Sequence, residues 1–295
     1  MVRLPFCPSP VALPVLFRLW HGKGTPSQVA LAAEMMSLLV AAFPGRDVHG
    51  VGDAASHGGP LAVQGATWTT RLPASAVLLG PTRPPAGKLG RPRVKGARLG
   101  TCAEIAAVAD WQEVTADCYG QPVTMQSAAA DCLGYGSFKD APGRLVLTRE
   151  PGSKKPYDLG LFSLDAGASA AQLIERYSWR WAMEPGNAAG KQLTGAGDAR
   201  NRTRRAAGRA VPFAFLVQSL IIAWYTVTGY APAGIDARRL RCPWYRAKTC
   251  PSLADMITKL RAGFMTAAGI SGIPPAHRHP SQIPDHRVTC DTTAA

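Results

Sequence analysis

The chain has 295 residues, with 33 lysines and arginines against 19 aspartates and glutamates, and a formal charge of +14. Because 46% of its residues are hydrophobic and only 18% are charged, it can bury a core, which excludes a disordered basic tail or a histone-like arm. Its seven scattered cysteines form no Cys-x-x-Cys pair, which excludes a zinc or disulfide framework and is typical of a reduced, cytoplasmic protein.

The N-terminal part predicts a strand, a helix and a second strand. Residues 11–20 are apolar and typical of a strand. The loop that follows leads to Thr25, which is predicted to be the N-cap of a helix, with a proline at the first helical position and Gln28 completing a capping signature. The next strand is predicted over residues 46–53, so that it places the carboxylate of Asp53 at its end.

The middle of the chain differs in composition from the rest. Proline and glycine punctuate short β-prone runs, which cover residues 111–115, 122–125 and 144–148. Residues 83–98 also carry six basic side chains and no acidic one. After a strand at residues 67–71, we therefore expect a basic, mostly β insertion over residues 81–160.

Helical periodicity returns near residue 168. A long apolar helix is predicted over residues 206–228 and an amphipathic one over residues 252–268. Residues 210–228 carry no charge and reach the length of a membrane span, but Gln218 and several hydroxyl side chains favour a buried core helix. We therefore expect no membrane attachment.

A second basic window follows the insertion. Residues 180–261 hold fourteen basic side chains and four acidic ones. Together with residues 83–98 they account for more than the whole net charge, so the remainder is a nearly neutral scaffold. Two concentrated basic patches are typical of a protein that follows a nucleic-acid backbone. The alternative is the solvated surface of an arginine-rich protein.

The most informative run contains Tyr177, Arg180, Glu184 and Lys191. On a continuous helix these four residues share one face. A carboxylate between an arginine and a lysine suits a phosphate-handling site, in which the acid binds a metal ion and the bases bind the phosphodiester. Charge pairs at this spacing are also ordinary on solvated helices, and Pro185 is expected to kink the helix after Glu184.

Six ordered motifs contain or surround this run and make it more specific. They are VHGVGDAASHG at 48–58, TWTTRL at 67–72, GRPRVKG at 90–96, QLIERYSWRWAME at 172–184, DARNRTRRAAGRAVPF at 198–213 and PWYRAKTCPSLADMITKLR at 243–261. With the Tyr, Arg, Glu and Lys spacing, they resemble bacterial insertion-sequence transposases of the DDE type. The resemblance implies an α/β fold with an RNase H-like catalytic core, interrupted by the mostly β insertion and followed by C-terminal helices.

The resemblance also implies roles for the residues of these motifs. Asp53 and Glu184 become catalytic carboxylates that bind Mg²⁺ (or Mn²⁺) for cleavage and strand transfer at the ends of an insertion sequence. Tyr177, Arg180 and Lys191 become contacts to the phosphates of double-stranded DNA. The expected assembly is a homodimer or a mixed assembly with an intact transposase, in the cytoplasm.

The family's first catalytic aspartate lies on a core strand that precedes the segment similar to residues 11–20. We therefore expect the first core strand and the third acid to be missing from this chain, and its activity to be lost. The alternative is a non-catalytic DNA-binding remnant that titrates transposon ends or interferes with an intact transposase.

The predicted organisation has five parts. They are a partial core over 1–80, the insertion over 81–160, the rest of the core over 161–228, a C-terminal helical region over 229–272 and a disordered tail over 273–295.

Two further arginine groups are candidates for DNA contacts. Arg91 and Arg93 lie in a GRPR sequence that is similar to the core of an AT-hook. The other group precedes the long apolar helix and contains Arg200, Arg202, Arg204 and Arg205. Each group has a simpler alternative, a chance basic turn for the first and a solvated helix start for the second.

Overall fold

The computed structural model describes residues 1–23, 26–81, 95–198, 200, 202–241 and 248–267. The strands are β1 (Val48–Gly52), β2 (Ala66–Arg71), β3 (Val77–Leu79), β4 (Arg98–Thr101), β5 (Gln112–Cys118), β6 (Gln121–Leu133), β7 (Pro142–Arg149) and β8 (Leu159–Ser163). The α-helices are α1 (Gln28–Ala42), α2 (Cys102–Val108), α3 (Tyr135–Phe138), α4 (Ala170–Trp179), α5 (Met183–Leu193), α6 (Arg204–Trp224), α7 (Pro232–Arg241) and α8 (Leu253–Ala267). The predicted mixed α/β class is therefore confirmed.

All eight strands belong to one mixed sheet, in the order β1-β2-β8-β7-β6-β3-β4, with β5 paired to β6. The β1 and β2 strands are parallel, and the other pairs are antiparallel. Although β8 comes last in sequence, it lies between β2 and β7. The β-rich residues of 81–160 thus share a continuous sheet with the strand that leads to Asp53.

The sheet is covered by helices on both faces, and its strands alternate accordingly. On β7, Leu145 and Leu147 pack with α1, α2 and α3 on one face, whereas Val146 packs with α4 on the other. The same alternation places Phe162 of β8 with the first cluster and Leu161 with the second. Because both faces are buried, the strands of the middle of the sheet are apolar on both sides.

A two-residue turn joins β5 and β6. Tyr119 and Gly120 have φ of 56° and 78°, the left-handed conformation that a tight hairpin turn requires. Residues 1–20, which we call the N-terminal arm, precede the first helix. The arm lies against this turn, since the Ser9 hydroxyl donates to the Tyr119 carbonyl at 2.7 Å. The hairpin therefore provides one of the anchors of the arm.

The strand predicted over residues 11–20 is wrong. The N-terminal arm makes a single bridge, between Val2 and Val11, and residues 12–20 are irregular. Their apolar side chains pack on a helix instead: the Ser219 hydroxyl donates to the Pro14 carbonyl at 2.8 Å, and Phe17 stacks on Phe215 with ring centroids 5.9 Å apart. An apolar run of this length satisfies helix packing as well as a sheet, so composition alone did not separate the two.

The predicted helices are present within the described residues. The predicted N-cap of the first is wrong, because α1 begins at Gln28 and its N-cap is Ser27, whose hydroxyl accepts from the Ala30 N–H at 3.1 Å; Thr25 itself lies outside the described residues. The predicted apolar and amphipathic helices correspond to α6 and α8. With the turn that follows it, α6 (204–229) is the one described helix that is long and apolar enough to cross a membrane. One of its faces is buried against the N-terminal arm and α8, as in a core helix. The tail predicted over 273–295 lies outside the described residues.

Candidate nucleic-acid and metal site

Asp53 follows the last residue of β1 at the surface of the protein. Its Oδ1 accepts hydrogen bonds from the Ala55 N–H at 3.1 Å and the Ser56 hydroxyl at 2.8 Å. The Thr70 hydroxyl donates to the Asp53 carbonyl at 2.6 Å and fixes the backbone. The Ser56 hydrogen bond is the main cause that lowers the pKa of Asp53, and the Arg180 charge adds to it. Asp53 is therefore an ionised, oriented carboxylate at neutral pH.

Two glycines explain how the chain reaches this turn. A Cβ at Gly50 would lie 2.1 Å from the nearest ring carbon of Trp68, and a Cβ at Gly52 would lie 2.7 Å from another. The indole fills this space and donates from Nε1 to the Ser56 carbonyl at 3.0 Å. The glycines of the VHGVGDAASHG motif thus admit a buried tryptophan that supports the Asp53 turn.

The signature run is divided between two helices. Tyr177 lies in α4, Arg180 begins a 3₁₀ turn over Arg180–Ala182, and Glu184 lies in the first turn of α5. Pro185 causes no break, because a first-turn residue needs no N–H donor inside the helix. The single face predicted for a continuous helix is therefore interrupted at Arg180 rather than at Pro185.

Arg180 contacts Tyr177 and acts electrostatically on Asp53. Its charge helps to lower the pKa of Asp53, and its guanidinium lies over the Tyr177 ring at 5.7 Å. The Arg180 Nε is buried and has no hydrogen-bond partner among the described residues, which is unusual for a buried donor. Tyr177 also packs against the cluster beneath α4, so it has a structural role as well.

Glu184 and Lys191 are exposed on α5 and, being seven residues apart, share one face of it. Carboxylates such as Asp53 and Glu184 are the oxygen ligands that Mg²⁺ prefers. However, no group of three or more histidine, cysteine, aspartate or glutamate side chains that could hold a metal ion occurs in the described part of the chain. The described residues alone therefore do not form a complete two-ion site.

The second arginine group lies at the start of α6, where all four side chains are exposed: Arg200, Arg202, Arg204 and Arg205. The N-cap is Thr203, and the first turn of the helix contains no acid. Cations at a helix N-terminus are unfavourable because of the helix dipole, so these arginines do not serve to stabilise α6. They line an open basic surface next to a cavity of about 430 Å³ that includes Arg200. Arg91 and Arg93 lie outside the described residues.

A polar cluster beneath α4 was not predicted from the sequence. The His49 ring bonds the Thr67 hydroxyl through Nδ1 at 2.6 Å and the Thr69 hydroxyl through Nε2 at 2.9 Å. Arg176 donates to Asp165 Oδ2 at 2.7 Å and lies 3.4 Å from His49 Nδ1. Asp165 is thus in a structural ion pair. The alternating polar residues of β1 and β2 are the sequence signal that could have indicated this cluster.

Burial and the Arg176 charge lower the pKa of His49 to about 4, against an opposing effect of Asp165. The ring is therefore neutral in the folded protein, while the unfolded chain binds a proton near pH 6.5. The free energy of unfolding should fall by roughly 2–3 kcal/mol as the pH drops from 6.5 to 4. Urea titrations across this range should show a flatter dependence for His49→Gln. An unchanged slope in that variant would contradict the assignment.

The chain matches no protein-family model, and no curated protein matches its sequence.

Proposed function

We propose that the chain is a DNA-binding protein of the DDE transposase type, whose Asp53 and Glu184 contribute to Mg²⁺- (or Mn²⁺-) dependent DNA cleavage and strand transfer. The observation that carries this proposal is the packing of α4, which leads into the signature run, against β1, where Arg176 Nη1 lies 3.4 Å from His49 Nδ1. Two motifs whose contacting residues are 127 residues apart in sequence thereby meet, and the Arg180 charge also lowers the pKa of Asp53. The bound ion would supply charge neutralisation at the phosphodiester.

The basic residues support a DNA partner by their position. Arginines at the N-terminus of α6 destabilise the helix slightly, and a polyanion would remove that repulsion. The Arg180 guanidinium carries a positive charge that lowers the pKa of Asp53, and the same charge suits a phosphate oxygen. Tyr177 would hold Arg180 in place through its ring rather than by a direct contact to DNA.

The resemblance requires a third carboxylate on a further core strand. Among the described strands, β1 pairs only with β2, so its other edge is free beside Asp53. We propose that a strand carrying the third acid would pair at this edge, whichever chain supplies it. Since Asp53 and Glu184 alone do not hold both ions, cleavage would also need the acid on that strand.

A second candidate function is a non-catalytic DNA-binding protein that titrates transposon ends or interferes with an intact transposase. The exposed arginines at the start of α6 support it, because they need no metal ion to bind DNA. Both candidates require DNA binding, and they differ in whether a metal-dependent reaction can be recovered.

The binding prediction is tested by fluorescence anisotropy with a short DNA duplex between 50 and 200 mM salt. We expect a steep linear fall of log K with log salt, with a slope of about −0.9 per neutralised phosphate. Replacing Arg202, Arg204 and Arg205 together by glutamine should make the slope shallower by up to about 3. Arg46→Gln, which changes an exposed arginine outside both basic windows, is the matched control and should leave the slope unchanged.

Catalysis is tested on supercoiled plasmid with Mg²⁺ or Mn²⁺. We expect DNA binding without nicking. Nicking that Glu184→Ala abolishes would show a complete metal site and would favour the enzyme over the titrating protein. A salt-independent interaction, or none at all, would contradict both candidates.

A further inference from the structure

The outer face of α6 is apolar and uncovered. Between residues 206 and 227 the exposed positions are Arg209, Phe213, Leu216, Leu220, Ala223 and Val227. The large apolar side chains among them are 67% (Phe213), 40% (Leu216), 59% (Leu220) and 82% (Val227) exposed. We call these six residues the outer stripe. A solvated helix face normally carries polar side chains, so the outer stripe is unlike an ordinary surface.

The inner face of the same helix is held firmly by the protein. The Gln218 amide donates to the Gly186 carbonyl at 3.1 Å, and the Ser219 hydroxyl donates to the Pro14 carbonyl at 2.8 Å. Phe215 and Ile222 are buried next to them. The helix is therefore already part of a packed core, and the outer stripe is a second, separate contact face rather than half of a membrane span.

The spacing of the outer stripe indicates what it fits. Its members are separated by alternating steps of four and three residues, so the stripe follows a heptad pattern along α6; its last member, Val227, lies in the π-helical turn Tyr225–Gly229 that continues the helix. This pattern is typical of the seam between two helices that pack side by side in a left-handed supercoil. The expected occupant is therefore another helix with a matching seam.

The spacing of the outer stripe is the same in both chain directions. The stripe is symmetric about Gln218, so an antiparallel second copy would place Leu216 opposite Leu220 and the large Phe213 opposite the small Ala223. Large and small side chains at facing positions interdigitate. We propose that α6 pairs with α6 of a second copy of this chain in an antiparallel arrangement, through the outer stripe.

The charges of α6 select the antiparallel orientation. The helix carries Arg204, Arg205 and Arg209 at its N-terminal end and no acid. Parallel pairing would place these arginines against their counterparts, at a cost in repulsion. Antiparallel pairing separates them and brings each set beside the C-terminal end of the facing helix, where the carbonyl groups favour cations. The arginines nearest the helix start also remain at the two outer ends, open to DNA.

The association is tested on the whole chain by light scattering after size-exclusion chromatography, in high salt and without DNA. We expect a dimer for the wild type. Leu220→Glu should raise the dissociation constant at least about 100-fold, because it buries an unpaired charge on each side of the seam. Val108→Glu, which changes an 86% exposed side chain on α2, is the matched control and should remain dimeric. Circular dichroism checks that each variant is folded.

Two further measurements distinguish this pairing from others. Leu216→Arg and Leu220→Glu chains should each be monomeric alone and should form a heterodimer when mixed, because only antiparallel pairing places position 216 opposite position 220. Ala223→Phe keeps the face apolar but crowds Phe213 of the second copy, so it should weaken the dimer without affecting folding. A wild type that stays monomeric, a dimer that survives Leu220→Glu, or mixing without rescue would overturn the proposal. Sedimentation of a monomeric wild type with anionic phosphatidylglycerol vesicles, lost in Leu220→Glu, would also overturn it and would indicate a lipid surface.

Discussion

Gly50→Ala should lower the free energy of unfolding by about 3 kcal/mol. The new Cβ would lie 2.1 Å and 2.3 Å from two ring carbons of Trp68 and 3.1 Å from the Met36 methyl. Trp68 is only 6% exposed and its Nε1 donates a hydrogen bond to the Ser56 carbonyl, so the ring cannot move aside without losing packing or this hydrogen bond. The midpoint of urea unfolding would measure the loss. Gly136→Ala is the control, because a Cβ there meets no atom within 4 Å.

The same substitution tests whether Trp68 is the cause. In a Trp68→Leu background the ring is absent, so the additional loss on Gly50→Ala should shrink to a fraction of its value in the wild type. Such non-additivity is expected for two groups in direct contact. Equal losses in both backgrounds would place the strain elsewhere in β1.

This contact also connects folding to the candidate site. Trp68 donates to the Ser56 carbonyl, and the Ser56 hydroxyl donates to Asp53 Oδ1 at 2.8 Å. Displacement of the indole would therefore move the turn that orients the carboxylate. The glycines of the motif are needed for the position of Asp53 as well as for stability.

Local patterns predicted the elements around Asp53 well. The first helix, the strand that leads to Asp53 and the alternating strand of residues 67–71 depend on neighbours in sequence, and the structure has each of them, although the N-cap of the helix is Ser27 rather than Thr25. The strand predicted over residues 11–20 was wrong because these residues do not pack on their neighbours in sequence. They pack on α6, about 200 residues away. Apolar composition identifies a segment to be buried but not the element that will cover it.

In the candidate site, too, local spacing predicted some features, whereas others depend on contacts between distant segments. Helical spacing placed Glu184 and Lys191 on one face, and this holds because both lie in α5. The effect of the Arg180 charge on Asp53 depends on how α4 packs against β1, which no spacing rule contains. The His49 cluster joins β1 to Arg176 over 127 residues, so it could not be derived from either motif alone.

Asp255→Ala should destabilise the protein by about 3 kcal/mol, since it breaks a buried ion pair. Asp255 lies in the first turn of α8 and accepts hydrogen bonds from the Ser252 N–H at 2.8 Å and the Ser252 hydroxyl at 2.7 Å. It also forms an ion pair with Lys248, and the two side chains are only 15% (Lys248) and 16% (Asp255) exposed. Removal of the carboxylate eliminates the Lys248 ion pair and both hydrogen bonds from Ser252 in the first turn of α8.

An exposed copy of the same arrangement supplies the control. Glu104 in the first turn of α2 accepts from the Thr101 N–H at 2.6 Å and pairs with Arg98, but both partners of that ion pair are more than half exposed, at 57% and 52%. Water replaces these contacts readily, so Glu104→Ala should have a much smaller effect on the urea midpoint. Similar losses for the two variants would mean that burial does not determine the strength of the Lys248 pair.

The pH dependence separates the charge of Asp255 from its packing. Burial alone would raise the pKa of Asp255, but the bonds from Lys248 and Ser252 outweigh it, and the folded-state pKa is lowered. A carboxyl group with a lowered folded-state pKa contributes its full stability above the unfolded pKa of about 3.9 and loses it as the pH falls through the folded value. The difference between wild type and Asp255→Ala should therefore be constant above about pH 5 and shrink in acid. A difference that persists in acid would assign the effect to packing, because a protonated Asp255 no longer pairs with Lys248 as an ion.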